Sequence, residues 1–121
     1  MKNKLELLYK FFCAGLLSLI AQTANGTGCD GKIIELGIFA NSSVVWTILD
    51  TQQKPWNLCS LTDVMNNGGV DVKPEVCKSV YALLLAAKTA SQTVHVELTD
   101  AKICATINSW SSLPFYNVTI R

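Results

Sequence analysis

An export signal at residues 1–26 sets how much of this 121-residue chain is left to fold. Three lysines precede an apolar run at residues 11–20, which is too short to cross a bilayer as a helix. The small residues Ala24 and Gly26 then suit a signal peptidase. We therefore expect cleavage after Gly26, which leaves residues 27–121 as a single domain in an oxidising compartment, either periplasmic or extracellular.

Two other readings of this segment are open. An uncleaved anchor helix over residues 5–20 would be short for a membrane span. Lipid attachment at Cys29 normally requires a large aliphatic residue three positions earlier, where this chain has Gly26. Both readings are less favoured than a cleaved signal.

The segment after the signal has room for one modest core and carries seven basic and eight acidic residues. This net charge of −1 and the lack of a basic face argue against nucleic acid as a partner. No second long apolar run follows, so we expect no membrane span after signal cleavage.

Residue patterning predicts six short strands and one helix. The strands are expected at residues 32–40, 43–50, 58–64, 93–99, 102–108 and 115–121. The turn signal Asn41-Ser42 makes the first two strands a hairpin. Pro74 suits the first position of a helix over about 74–90. This order predicts an α+β, mostly β fold: a small OB-like β-barrel of five or six strands with one helix at one end.

Four cysteines of the exported segment are candidates for two disulfides, with three pairings open. The hairpin register places Cys29 opposite about residue 54, close to Cys59. A strand returning along the helix brings Cys104 near Cys77. These distances favour Cys29–Cys59 with Cys77–Cys104, and Cys59–Cys77 with Cys29–Cys104 is the second choice. A zinc site is disfavoured because no two cysteines lie close together in sequence.

Residues that could support catalysis are sparse, so the sequence predicts a protein that is not an enzyme. His95 is the sole histidine and lies beside Glu97 on the polar face of a predicted strand. It could act as a base or contact a ligand, but a solvent-facing strand residue is the favoured reading. No nucleophile motif, metal set or cofactor motif is evident, and the glycine-rich stretch 66–69 does not fit a phosphate-binding loop.

Three tryptophans offer the best ligand-binding candidates. Trp46 lies in an apolar strand and is expected in the core. Trp56 and Trp110 lie in polar loops next to asparagine or serine. Aromatic rings beside amides and hydroxyls suit a sugar, because the ring stacks on the apolar sugar face while the polar groups bind its hydroxyls. The competing reading makes each ring a cap folded over a barrel end.

A longer pattern carries a resemblance. It runs from Cys29-x-Gly31-x-Ile33 through Trp56-x-x-Cys59-Ser60 and Cys77-Lys78-x-x-Tyr81-Ala82-Leu83-Leu84-Leu85-Ala86-Ala87-Lys88 to Val94-x-Val96, Cys104 and Trp110. This layout resembles a group of short, exported, largely uncharacterised bacterial proteins.

More distantly, the layout is similar to the B subunits of AB5 toxins of the subtilase-cytotoxin and pertussis kind. The resemblance implies an exported OB-fold domain that forms oligomers and binds glycans. It transfers no sugar-contacting residue to this chain. The sequence thus favours an exported, non-catalytic, glycan-binding domain, with an inhibitor or immunity-type protein that binds another protein as the alternative.

Overall fold

A computed structural model describes residues 28–99 and 103–121, so the predicted export signal lies outside the described residues. The fold is mostly β with one helix, as expected. Its elements are β1 (Gly28–Ile38), β2 (Val44–Leu49), β3 (Pro55–Ser60), β4 (Met65–Asn67), β5 (Val70–Val72), α1 (Pro74–Thr89), β6 (Thr93–Leu98), a 3₁₀ turn (Cys104–Thr106) and β7 (Phe115–Ile120).

The longest strand, β1, organises the main sheet. It forms the predicted hairpin with β2, with Ile38 opposite Val45 and Gly37 opposite Trp46. An irregularity between Ile33 and Glu35 interrupts this pairing, and the first half of β1 pairs with β6 instead. The resulting five-stranded sheet has the order β3-β2-β1-β6-β7, and β4 and β5 form a separate two-stranded sheet.

The two edge strands of this sheet are β3 and β7. The chain just before β7 runs parallel to β3. A parallel bridge joins Asn57 to Ser112. The amide of Asn57 donates to the carbonyl of Ser111 at 3.0 Å, and the amide of Leu113 donates to the carbonyl of Asn57 at 2.8 Å. One continuous segment therefore contacts β3 and then continues into β7, which pairs with β6.

The predicted helix is confirmed as α1, and its apolar face closes one side of the core. Cys77, Leu84 and Ala87 are buried, and Val80 and Tyr81 pack against the core at its border. The buried face is narrow, since the apolar residues Val76 and Leu85 of the same helix are 50% and 46% exposed. No helix in the described ranges is long and apolar enough to cross a membrane.

Two predicted local features differ in the structure. The strand expected at residues 102–108 is wrong over its described part: Cys104–Thr106 forms a 3₁₀ turn, and the Thr106 hydroxyl donates to the Ile103 carbonyl at 2.7 Å. Such side-chain bonds to nearby backbone favour turns over strands. β3 also begins three residues earlier than expected. Farther along the chain, Gly68 and Gly69 form the turn of the β4–β5 hairpin, at φ +61° and +97°.

The disulfides pair Cys29 with Cys104 and Cys59 with Cys77, so the favoured connectivity of Cys29–Cys59 and Cys77–Cys104 is wrong. The second pairing considered from the sequence is the one present. The cause is the change of partner along β1: Cys29 lies opposite Val96 of β6, not opposite the end of β2. Two disulfides fit an oxidising extracellular or periplasmic environment.

Candidate functional site

Three aromatic rings meet on the surface of the β1–β2 hairpin. The ring centroid of Trp110 lies 5.7 Å from that of Phe39 and 5.6 Å from that of Trp46. Phe39 and Trp46 complete the triangle at 6.1 Å. Tilted or edge-on rings at these distances attract one another. We call Phe39, Trp46 and Trp110 the aromatic platform.

Trp46 occupies the outer face of the sheet rather than the core predicted for it. Its neighbours Val45 and Thr47 are buried while Trp46 is half-buried, so the strand's alternation points it away from the core. The opposing residue is Gly37, where an added Cβ would lie 2.5 Å from the indole ring. Glycine at this position therefore lets the indole lie directly over the backbone of β1.

Trp110 reaches the platform from a tight loop, residues 108–112. Its backbone has φ +62°, a left-handed conformation that is uncommon for a bulky residue. Its amide donates to the carbonyl of Pro55 at 2.7 Å, and the side-chain amide of Asn57 donates to its carbonyl at 2.9 Å. Backbone strain of this kind persists where surrounding contacts enforce it, and it is concentrated at functional sites.

Trp110 is 52% exposed, so the candidate named from the sequence is available to a ligand. The other candidate, Trp56, is not available. It is fully buried, lies on β3 opposite Thr47 and belongs to the main core. The interpretation of Trp56 as a stacking residue is therefore wrong, because the strand begins earlier than predicted and turns this ring inward.

A cavity of about 290 Å³ adjoins the same loop. The loop residues Asn108, Ser111 and Ser112 contribute amide and hydroxyl groups to its wall. The rest of the wall comes from Gly68, Thr106, Ile107 and Pro114. The loop that carries Trp110 thus contributes to both the aromatic platform and this cavity.

A cluster of polar side chains lies on the outer face of β1, β6 and β7. Nδ1 of His95 lies 2.7 Å from a carboxylate oxygen of Asp30, and Arg121 approaches the same oxygen at 3.4 Å. On the other side of the ring, Nε2 lies 3.8 Å from Glu97, whose second oxygen accepts from Asn117 at 2.9 Å. These five residues form what we call the polar network.

His95 is only 8% exposed, so its predicted position as a solvent-facing strand residue is wrong. Both ring nitrogens face carboxylates, and the ring is too enclosed to reach a substrate without rearrangement. The contacts of the polar network link β1, β6 and β7. Between residues 28 and 99 and between 103 and 121, no three histidine, cysteine, aspartate or glutamate side chains converge as metal ligands.

Neither Phe39 nor Trp46 was predicted from the sequence to be a member of the site. One signal for them was present. The hairpin register predicted from Asn41-Ser42 already places Trp46 opposite Gly37, and a glycine facing a tryptophan on paired strands indicates a ring lying across the sheet surface.

Comparison with protein-family models, curated proteins and solved structures finds no match to this chain.

Proposed function

We propose that this protein is an exported, non-catalytic binding domain with an OB-like barrel that binds saccharides at the aromatic platform. The observation that carries the proposal is the half-exposed ring of Trp110, fixed against two other aromatic rings by a strained and hydrogen-bonded backbone.

The strand arrangement supports an OB-like barrel. β1 is long, carries an irregularity at its middle and pairs with β2 at one end and β6 at the other. A single parallel bridge joins Asn57, on the edge strand β3, to Ser112 in the chain that precedes the opposite edge strand β7, and this contact is consistent with a sheet that curves toward closure. A helix between the third and fourth strands of such a barrel completes the likeness, and OB folds bind oligosaccharides and oligonucleotides.

The chemistry of the aromatic platform favours a sugar over an oligonucleotide. Stacking on an aromatic ring covers the apolar C–H face of a sugar, and the polar groups beside Trp110 can then bind its hydroxyls. Oligonucleotide binding would require a basic surface to follow the phosphates, and the exported segment has a net charge of −1.

Rigidity of the rings favours binding. Phe39 and Trp46 hold the Trp110 indole before a ligand arrives, so little side-chain freedom is lost on association. The two disulfides also hold the surrounding chain, since Cys104 lies a few residues before the Trp110 loop and is bonded to β1.

A glycan array probed with the exported protein tests the proposal. We expect binding by the wild-type protein, weak binding by Trp110→Phe and none by Trp110→Ala, with melting temperatures nearly unchanged. Tyr116→Ala is the matched control, because Tyr116 is 60% exposed and lies on β7 away from the aromatic platform. An array with no binding, or loss of binding in the control as well as in Trp110→Ala, would refute the proposal.

The alternative, a domain that binds another protein, has one specific observation in its favour. β7 is an edge strand of the main sheet, and a groove of about 350 Å³ separates it from α1. Exposed edges accept strands from partners. Hydrogen exchange of this protein, measured after cross-linking to a partner from the exported fraction, distinguishes the two functions. Protection of residues 115–120 favours the protein ligand, and protection of residues 108–112 favours the saccharide.

A further inference from the structure

We infer that Asn57 is a positioning residue of the aromatic platform: its side-chain amide holds the backbone of Trp110 in the conformation that places the indole against Trp46. In this role Asn57 acts through Trp110 and need not touch a ligand. The consequence for binding rests on the proposed function, whereas the position of the ring can be measured with no ligand present.

Asn57 belongs to the row of residues that crosses the sheet beneath the platform. It lies opposite Trp46 on the paired strands β2 and β3, and Trp46 lies opposite Gly37 on β1 and β2. Residues opposite each other on paired strands share a face of the sheet. The pairing of β2 with β3 shifts register between Val45 and Trp46, and such irregularities re-aim the side chains beside them. The side chain of Asn57 is therefore next to the platform, although it is not one of its three rings.

Both polar backbone groups of Trp110 are bonded to β3. Its N–H donates to the carbonyl of Pro55 at 2.7 Å, and its carbonyl accepts from the side-chain amide of Asn57 at 2.9 Å. Together these bonds hold a bulky residue at φ +62°, a conformation that persists where surrounding contacts enforce it. The first bond uses main-chain atoms alone, whereas the second requires a side chain with an N–H donor. Substitution of Asn57 can therefore remove one bond and leave the other in place.

The oxygen of the same side chain gives an independent argument. Oδ1 of Asn57 is shielded from solvent and has no hydrogen-bond partner among residues 28–99 and 103–121. A buried acceptor without a donor costs free energy in the folded state. A side chain without this oxygen would avoid that cost, so folding alone does not account for asparagine at this position. The bond that its N–H donates to Trp110 does account for it.

Circular dichroism of the exported protein tests the inference before any ligand is added. The indoles of Trp46 and Trp110 have centroids 5.6 Å apart, so they couple electronically and give a couplet, a pair of bands of opposite sign. Trp110→Phe shows which part of the spectrum belongs to this pair. Asn57→Asp keeps the shape of the side chain but replaces the N–H donor with a carboxylate, which only accepts. The main-chain bonds of residue 57 to Ser111 and Leu113 do not depend on this side chain.

We expect Asn57→Asp to lose most of the couplet. Because the indole is then no longer held before a ligand arrives, saccharide binding should weaken about tenfold, which corresponds to about 1.4 kcal/mol. Acidification provides a second measurement. The protonated carboxyl of Asn57→Asp carries an O–H that can donate to Trp110, so the couplet of this variant should return at a pH where that of the wild type is unchanged. A variant that lost the couplet through misfolding would not regain it.

Asn66→Asp is the matched control. The side-chain amide of Asn66 donates to Asp71 at 2.7 Å in the β4–β5 hairpin, so this variant also exchanges a bonded amide for a carboxylate, and it should keep the couplet. A wild-type couplet in Asn57→Asp, no recovery on acidification, equal loss in the control, or undiminished saccharide binding without the couplet would each overturn the inference while the proposed function stands. A wild-type protein that binds no saccharide would overturn the proposed function, and the couplet would still decide whether Asn57 positions the ring.

Discussion

Gly37 allows the aromatic platform to form, because glycine has no side chain. Gly37 lies opposite Trp46, and the indole occupies the space where any other residue would place its Cβ. The ring in turn supports Trp110. A single backbone position on β1 thus controls the aromatic platform although it contributes no group to a ligand.

Gly37→Ala should therefore push the Trp46 ring away from the sheet. We expect a loss of about 1–3 kcal/mol in the free energy of unfolding, as is usual for overpacking, together with weaker saccharide binding. Urea denaturation of a double-mutant cycle with Trp46→Ala checks the cause. With the indole removed, the alanine at 37 should cost little, and an undiminished cost would show that the ring is not responsible.

The polar network also acts at the scale of residues. His95→Gln should remove the contact between the enclosed imidazole and the half-exposed carboxylate of Asp30, and it should cost about 1.5–3 kcal/mol, the range for a hydrogen bond to a charged group. Asp30→Asn keeps an acceptor oxygen, so its cost should be smaller by about 1 kcal/mol. Denaturant unfolding measures both, and the reverse ranking would show that charge, not the hydrogen bond, is the larger contribution.

At the scale of elements, α1 contributes to the core through few residues. Leu84 is 1% exposed, whereas the next residue, Leu85, is 46% exposed. Two adjacent leucines on one helix thus differ in burial and can be compared directly.

Leu84→Ala should cost about 2–5 kcal/mol through the cavity it leaves, and Leu85→Ala should stay within about 0.5 kcal/mol of wild type. Thermal or urea unfolding of the two variants gives the comparison. Similar costs for both would mean that α1 is rotated relative to the packing described.

Elements that depend on local sequence were predictable, and contacts between distant segments were not. The β1–β2 register followed from Asn41-Ser42, and α1 followed from Pro74 and its apolar spacing. The contact between His95 and Asp30 joins residues 65 positions apart, with no local signal for it. The irregularity at Ile33, which sends Cys29 toward β6, likewise arises from how the strands pair and so misled the disulfide assignment.

At the scale of the whole molecule, the two disulfides constrain very different lengths of chain. Cys59 and Cys77 are 18 positions apart and attach the first turn of α1 to β3, whereas Cys29 and Cys104 are 75 positions apart and connect β1 to the 3₁₀ turn. The longer loop encloses the hairpin, the helix and β6.

Removing each pair by double Cys→Ala substitution should therefore have unequal effects. Chain-entropy arguments give about 3 kcal/mol for the shorter loop and about 4.5 kcal/mol for the longer one. Melting temperatures of the two variants test the order, and peptide mapping of the oxidised wild-type protein should yield Cys29–Cys104 and Cys59–Cys77 peptides. Recovery of a Cys29–Cys59 peptide would contradict this connectivity.

The pairing of Gly37 with Trp46 also constrains how this protein can change over evolutionary time. A lineage that acquires a larger residue at position 37 while keeping the indole at position 46 must displace that ring and lose stability, so the substitution is better tolerated after the indole has gone. Once the indole is lost, a larger residue at position 37 no longer displaces a ring, and the glycine can be replaced. Descendants of this chain should therefore divide into two groups, one keeping both residues and one keeping neither, with glycine alone as the intermediate between them.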